Sequence, residues 1–279
     1  MKDTPAAVPG PLLKWAGGKR QLLPQLQQRL PARLVDYFEP FVGGGALLWT
    51  LGMRKLRHIV VNDYNSELIN LYQVVRTRPQ ELLASVAVHR NEAEYYYRLR
   101  ALDREPGYQQ LDAVTRASRF LYLNKTCYNG LWRVNSRGQH NVPFGRYKNP
   151  RIAEPANVYA CSDFLQGVEL LNGDFSQIRP WLGADSFVYL DPPYVPLSAS
   201  SSFTGYTAHG FDAAMQQRLR ELCDEIDRLG GKFMLSNSAA ALVRQLYQGY
   251  RIEEVQAARS INSRAGGRGK ITELIIRNY

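Results

Sequence analysis

Asp191-Pro192-Pro193-Tyr194 is the stretch of this sequence best equipped for chemistry. It follows the apolar run Phe187-Val188-Tyr189-Leu190, which predicts a buried strand of a mostly parallel sheet. In such sheets ligands bind beyond the carboxyl ends of the strands, where this tetrapeptide falls. Neither proline can donate to a ladder, so the pair ends the strand and stiffens the backbone. The Asp191 carboxylate and the Pro192 carbonyl become fixed acceptors, and Tyr194 adds a flat π-face. Two rigid acceptors and a stacking ring suit a planar heterocycle carrying an exocyclic NH₂. A plain Pro-Pro turn is the competing reading of these four residues alone.

A second constellation is Glu39-Pro40-Phe41-Val42-Gly43-Gly44-Gly45, between a short strand and the apolar run 46–51, expected to be helical. Its glycines let a ligand approach the backbone and leave helix amides pointing at it. Asp63 ends the next strand, 18 residues after Gly45, a spacing at which an acid commonly binds ribose hydroxyls. A dinucleotide would want a third glycine, which is missing, and Glu39 would repel its phosphates. A carboxylate there welcomes a cationic nucleoside such as the sulfonium of S-adenosylmethionine, which favours methyl transfer over hydride transfer. A structural tight turn would use the same glycines.

These groups need a sheet to hold them. Strands are expected at 34–38, 59–62, 168–171, 187–190 and 232–236, with an antiparallel closing pair at 252–258 and 271–277. Helical spacing covers 66–75, capped by Asn65 or Ser66, and the segment from Met215 to Leu229, capped by Asp212 and stopped by Gly230-Gly231. Residues 79–125 read as helical and polar, with Leu111, Val114, Ser118 and Leu121 on one face. Residues 126–150 change to Gly, Asn, Arg and aromatics, the composition of a hairpin or long functional loop. The first ten residues read as a flexible lead-in. The expected architecture is an α/β sheet domain, residues 1–72 and 158–279, interrupted by a mainly helical module, 73–157.

The chain has 279 residues and a net charge of +10. The excess sits in two acid-free segments: Lys125, Arg133, Arg137, Arg146, Lys148 and Arg151, then Arg259, Arg264, Arg268 and Lys270. That concentration points to a polyanion partner such as nucleic acid. No stretch approaches the ~20 apolar residues of a membrane span, and no signal-peptide pattern opens the chain. Cys127, Cys161 and Cys223 form no CxxC pair, so neither a disulfide framework nor a zinc site is expected, and a reducing cytoplasmic compartment fits.

Four motifs coincide in one order: Leu13-Lys14-Trp15-Ala16-Gly17-Gly18-Lys19, Phe38-Glu39-Pro40-Phe41-Val42-Gly43-Gly44-Gly45, Asn62-Asp63-Tyr64-Asn65 and Asp191-Pro192-Pro193-Tyr194. The set, from about Leu13 to Ile276, closely resembles the Dam-type DNA adenine-N6 methyltransferases, the amino-methyltransferases with cofactor motif first, recognition module second and catalytic motif third. Asn124-Lys125-Thr126-Cys127-Tyr128-Asn129-Gly130-Leu131-Trp132-Arg133 and Asn141-Val142-Pro143-Phe144-Gly145-Arg146-Tyr147 look like the recognition hairpin of members reading GATC.

The resemblance implies a Rossmann-like S-adenosylmethionine-dependent fold and double-stranded DNA as substrate. It implies no metal and a monomer in a bacterial or phage-infected host. It puts Trp15, Lys19, Glu39, Phe41, Gly43, Asp63, Asp174, Phe175 and Asp191 at the cofactor, with Phe175 stacking on its adenine. Asp191, Pro192, Pro193 and Tyr194 become the catalytic clamp on a flipped adenine. Lys14, Tyr128, Asn129, Leu131, Arg133, Pro143 and Arg146 would contact DNA, with Arg133 reading the first guanine and Tyr128 wedging beside the expelled base. Phe203-Thr204-Gly205-Tyr206 could close over the pocket. The alternatives kept open are a longer site beginning with GAT, or another nucleic-acid substrate. An Asp before Pro-Pro-Tyr argues for adenine over cytosine.

Overall fold

A computed structural model describes residues 8–15, 19–52, 54–196, 211–258 and 270–279. The first seven residues of the lead-in, residues 16–18 of the first motif, the closing loop at 203–206, and Arg259, Arg264 and Arg268 lie outside them. The strands are β1 (Asp36–Glu39), β2 (His58–Asp63), β3 (Val168–Asn172), β4 (Ser186–Leu190), β5 (Lys232–Ser238), β6 (Arg251–Ala258) and β7 (Lys270–Arg277). The α-helices are α1 (Leu23–Gln27), α2 (Ser66–Thr77), α3 (Pro79–Ala87), α4 (Ala93–Ala101), α5 (Ala113–Thr126), α6 (Pro155–Leu165), α7 (Ala213–Arg228) and α8 (Ala241–Leu246).

The strands form one sheet in the order β3-β2-β1-β4-β5-β7-β6. The first five pair in parallel, and β7 runs antiparallel to both β5 and β6. This is the mixed α/β architecture of a Rossmann-like methyltransferase sheet, as expected. The side-chain alternation of a strand divides the apolar residues between two faces. Tyr37, Val61, Phe187, Tyr189 and Met234 join one core, which continues unbroken into the helices and loop of the insert. Phe38, Val60, Val188, Leu190, Phe233 and Leu235 join the other, under α7. β1 and β4 are buried throughout, which explains why 187–190 reads as an apolar run without alternation.

The helices begin and end where their caps dictate. Asn65 accepts from the amides of Glu67 and Leu68 at the start of α2, and Asp212 accepts from Met215 at the start of α7. Gly230, at φ +78°, ends α7: its amide reaches the Asp227 carbonyl and that of Gly231 reaches Ile226. Caps contribute about 1 kcal/mol each. Burial of Leu219, Leu222 and Ile226 at 0% exposure contributes about 1.5–3 kcal/mol apiece, so packing rather than capping holds α7 in place.

The insert differs in detail from its sequence pattern. Residues 79–125 are three α-helices with 3₁₀ turns at Leu102–Arg104 and Tyr108–Gln110. Val114, Ser118 and Leu121 are buried, but Leu111 precedes the helix and is exposed, because Asp112 caps α5 by accepting from Val114. α5 is buried nearly all round and encloses Arg119, whose charge is paired with Asp103 at 2.9 Å and bonded to the carbonyls of Leu99 and Arg100. The loop after α5 closes through two isolated antiparallel bridges, Cys127 with Phe144 and Val134 with His140, rather than a continuous ladder. Asn129 and Arg146, at φ +56° and +54°, break the pleat there. The run 46–51 forms only a short 3₁₀ turn, Leu48–Leu51, with the Trp49 indole tied back to the Gly44 carbonyl at 2.9 Å. Among the described residues no helix is long and apolar enough to cross a membrane, and Cys127, Cys161 and Cys223 are free and buried.

Candidate active site

Three acids converge where adjacent strands end. Glu39 ends β1, Asp63 ends β2 and Asp191 follows β4, and β1 lies between β2 and β4. The strand order reverses between β1 and β4, the place where open α/β sheets bind ligands. Glu39 is buried and accepts from the Tyr37 hydroxyl at 2.8 Å; burial pushes its carboxyl up to about 8. Asp63 accepts from the amides of Gly43 and Asn65, both at 2.9 Å, and burial still pushes it up to about 6. It therefore ties the glycine loop to the start of α2, while the helix cap itself is Asn65.

The glycine loop is shaped by aromatic side chains. Gly43 has φ +47°, and a Cβ there would lie 2.6 Å from the Trp15 indole nitrogen; one on Gly44 would lie 2.9 Å from Trp15 Cβ. Trp15 thus lies flat against the loop, half-buried, with Phe120 beyond it at 6.4 Å. The Tyr72 hydroxyl donates to the Gly43 carbonyl at 2.7 Å. On the other side Phe41 packs on Phe175 at 5.4 Å and on Phe211 at 5.8 Å. Asp174 caps the turn that carries Phe175 and pairs with Arg218 at 3.0 Å, whose guanidinium lies 5.3 Å over the Phe175 ring.

Asp191-Pro192-Pro193-Tyr194 is held from several sides. Gln216 on α7 donates to the Pro193 carbonyl at 3.2 Å, Asn237 accepts from the Val195 amide at 3.2 Å, and Ser238 donates to the Val195 carbonyl at 2.6 Å. The Tyr194 hydroxyl donates to Glu273 on β7 at 2.6 Å. Lys19 Nζ lies 2.9 Å from Asp191 Oδ1 and 4.3 Å from the centre of the Tyr194 ring. Burial pushes the Asp191 carboxyl up to about 6, opposed by that lysine. Lys19, expected at the cofactor, lies against Asp191-Pro192-Pro193-Tyr194.

The insert loop, which carries most of the remaining residues, packs against the Lys14 side chain at Gly130. Lys14 is exposed, with its ammonium 4.3 Å over the Tyr147 ring. Tyr128 is 50% exposed, whereas Trp132 is 5% exposed, stacked on His140 and packed on Phe120. Asn129, Pro143 and Arg146 are exposed, and the Pro143 carbonyl accepts from the Tyr128 amide at 2.8 Å. Arg133 is partly buried and donates from Nε to Asn141 Oδ1 at 2.7 Å. Leu131 is partly buried against the core.

The family description "D12 class N6 adenine-specific DNA methyltransferase" matches residues 15–261. The chain belongs to that family. It is 42% identical over 273 residues to Type II methyltransferase M1.LlaDCHI of Lactococcus lactis subsp. cremoris, covering 96% of this chain and 95% of that one. It is 42% identical over 286 residues to Type II methyltransferase M.MjaIII of Methanocaldococcus jannaschii, covering 96% and 99%. It is 36% identical over 267 residues to DNA adenine methylase of Escherichia coli strain K12, covering 94% and 93%.

As a D12 class methyltransferase the protein is an adenine-specific DNA-modifying enzyme, and the family implies S-adenosylmethionine as methyl donor. The residues present fit such a donor. Glu39, Asp63 and Asp191 are recessed acids whose carboxyls are all held above their usual range, a cost that a bound cation relieves. Among the described residues no cluster of His, Cys, Asp or Glu could hold a metal ion. Sequence reasoning missed Glu273, Gln216, Asn237 and Ser238. A usable signal existed for Asn237 and Ser238, polar residues at the end of an otherwise apolar strand, which need partners once buried.

Proposed function

We propose that this enzyme methylates N6 of an adenine flipped out of double-stranded DNA, within GATC. The observation that carries the reading is the placement of Lys19 Nζ: a nitrogen donor lies 2.9 Å from Asp191 and over the Tyr194 ring. An aromatic amine held by the same acid and ring would have its lone pair directed away from them. Flipping costs a few kcal/mol, offset by stacking on Tyr194. Asp191 and the Pro192 carbonyl accept the two N6 hydrogens, bonds that strengthen as the nitrogen becomes pyramidal. S-adenosylmethionine supplies an electrophilic methyl group when bound. Trp15, Lys19, Glu39, Phe41, Gly43, Asp63, Asp174 and Phe175 hold it. Glu39, with Phe41, borders the methionine part and favours its positive charge, Asp63 takes the ribose hydroxyls, and Phe175 stacks on the adenine.

In this reading residues 1–72 and 158–279 form the catalytic domain and 73–157 the recognition domain of a monomer acting in the cytoplasm. Lys14, Tyr128, Asn129, Leu131, Pro143 and Arg146 hold the duplex. Arg133 reads the first guanine: its Nε is committed to Asn141, which leaves Nη1 and Nη2 as the fork for O6 and N7. The test is transfer of tritiated methyl groups to unmethylated plasmid, followed by mapping of the modified adenines. Label confined to GATC supports the reading; label at longer GAT-beginning sites moves the specificity, and no label on adenine overturns it.

A further inference from the structure

We infer that Glu273 is a positioning residue of the methyl-transfer site: it fixes the plane of the Tyr194 ring on which the target base stacks. The inference rests on the proposed role of Tyr194. It adds a residue from a strand to which neither the motifs nor the proposed function assign any part.

Glu273 sits in a strand whose next three residues, Leu274, Ile275 and Ile276, are 0% exposed, and is itself only 8% exposed. A carboxylate there is costly unless paired. Two partners come from the site: the Tyr194 hydroxyl donates to Oε2 at 2.6 Å, and Lys19 Nζ lies 3.8 Å from the same oxygen. Lys19 in turn reaches Asp191 at 2.9 Å and the Tyr194 ring at 4.3 Å. Two acids therefore share one ammonium around one phenol.

The register supports the assignment. Glu273 is opposite Ser238 on β5, and the Ser238 hydroxyl donates to the Val195 carbonyl at 2.6 Å. One rung of the sheet thus holds both the backbone just after Tyr194 and the far end of its side chain. With Cα and Oη both tethered, the ring has little freedom to rotate, and stacking depends on ring orientation and offset. The same bond commits the phenol proton to Glu273. An acid serving only to seat β7 in the sheet would have no need of the phenol.

The test is single-turnover methyl transfer and DNA affinity for Glu273→Ala, Glu273→Gln, Tyr194→Phe and the Tyr194→Phe/Glu273→Ala double variant. Glu273→Ala should slow transfer about 10- to 100-fold, the cost of a misplaced group, with DNA affinity little changed. Glu273→Gln keeps an acceptor at the same reach and should recover most of the rate. Tyr194→Phe, which removes only the tethered oxygen, should reproduce the Glu273→Ala loss, and in that background Glu273→Ala should cost little more. Multiplying effects, a Gln variant no faster than Ala, or a Tyr194→Phe enzyme as fast as wild type would overturn the inference. The last result decides even if Glu273→Ala does not fold. A wild-type protein that leaves adenine unmethylated would instead sink the proposed function beneath it.

Discussion

Asn124 grips the backbone of Lys14 in both directions: its Oδ1 accepts from the Lys14 amide at 2.9 Å and its Nδ2 donates to the Lys14 carbonyl at 2.6 Å. The same Nδ2 reaches the Gly130 carbonyl at 3.3 Å, and the side chain is fully buried. One amide near the end of α5 thereby joins the segment carrying Trp15 to the turn carrying Tyr128.

Asn124→Ala orphans the buried groups it serves, at about 1–3 kcal/mol each. Urea denaturation should report that loss. Because both segments are released together, affinity for S-adenosylmethionine and for DNA should fall in the same variant. A variant that loses stability but binds both normally would separate the joint from function.

Asp191 accepts from an amine most strongly as a carboxylate, and its carboxyl is held at about 6. The methyl-transfer rate should therefore fall as pH drops through about 6 and be level above it. Asp191→Ala should abolish transfer, a loss of at least about 100-fold for an acceptor engaged in the transition state, while DNA binding persists in a gel-shift assay. Loss of DNA binding in that variant would count against the role given to Asp191.

Glu39 is raised from 4.5 to about 8, so at neutral pH it is mostly protonated. A cation bound beside it favours the carboxylate. Binding of S-adenosylmethionine should then release a proton and tighten as pH rises towards about 8, whereas the uncharged sulfur of S-adenosylhomocysteine should show a weaker dependence. The sign for folding is the opposite: an acid raised in the native state lowers stability as pH rises between its unfolded and folded values. Thermal melts of Glu39→Gln should thus gain more over wild type at pH 8 than at pH 5.

Arg133→Ala should relax discrimination at the first guanine by about 1–3 kcal/mol. Competition between cognate duplexes and duplexes altered at that base measures it. An equal loss on every sequence would mean that Arg133 meets only phosphate.

Much of this was legible in the chain. The tetrapeptide at Asp191, the acids at the ends of β1 and β2 and the caps at Asn65 and Asp212 all lie where local rules put them, because each depends on a strand or helix terminus and its nearest neighbours. What could not be read is convergence across the sheet. Glu273 meets Tyr194 over a separation of 79 residues, and only the insertion of β7 beside β5 brings them together. Aromatic residues were equally ambiguous: Tyr128 and Trp132 have similar sequence surroundings, yet one faces solvent and the other is core. Nothing local separates a ring that serves a ligand from one that fills a cavity.

The last strand of the chain, β7, lies between β5 and β6 rather than at the sheet edge. A nascent polypeptide halted before Lys270 would carry the tetrapeptide and every pocket acid but no tether for the tyrosine, and β6 would have nothing to pair with.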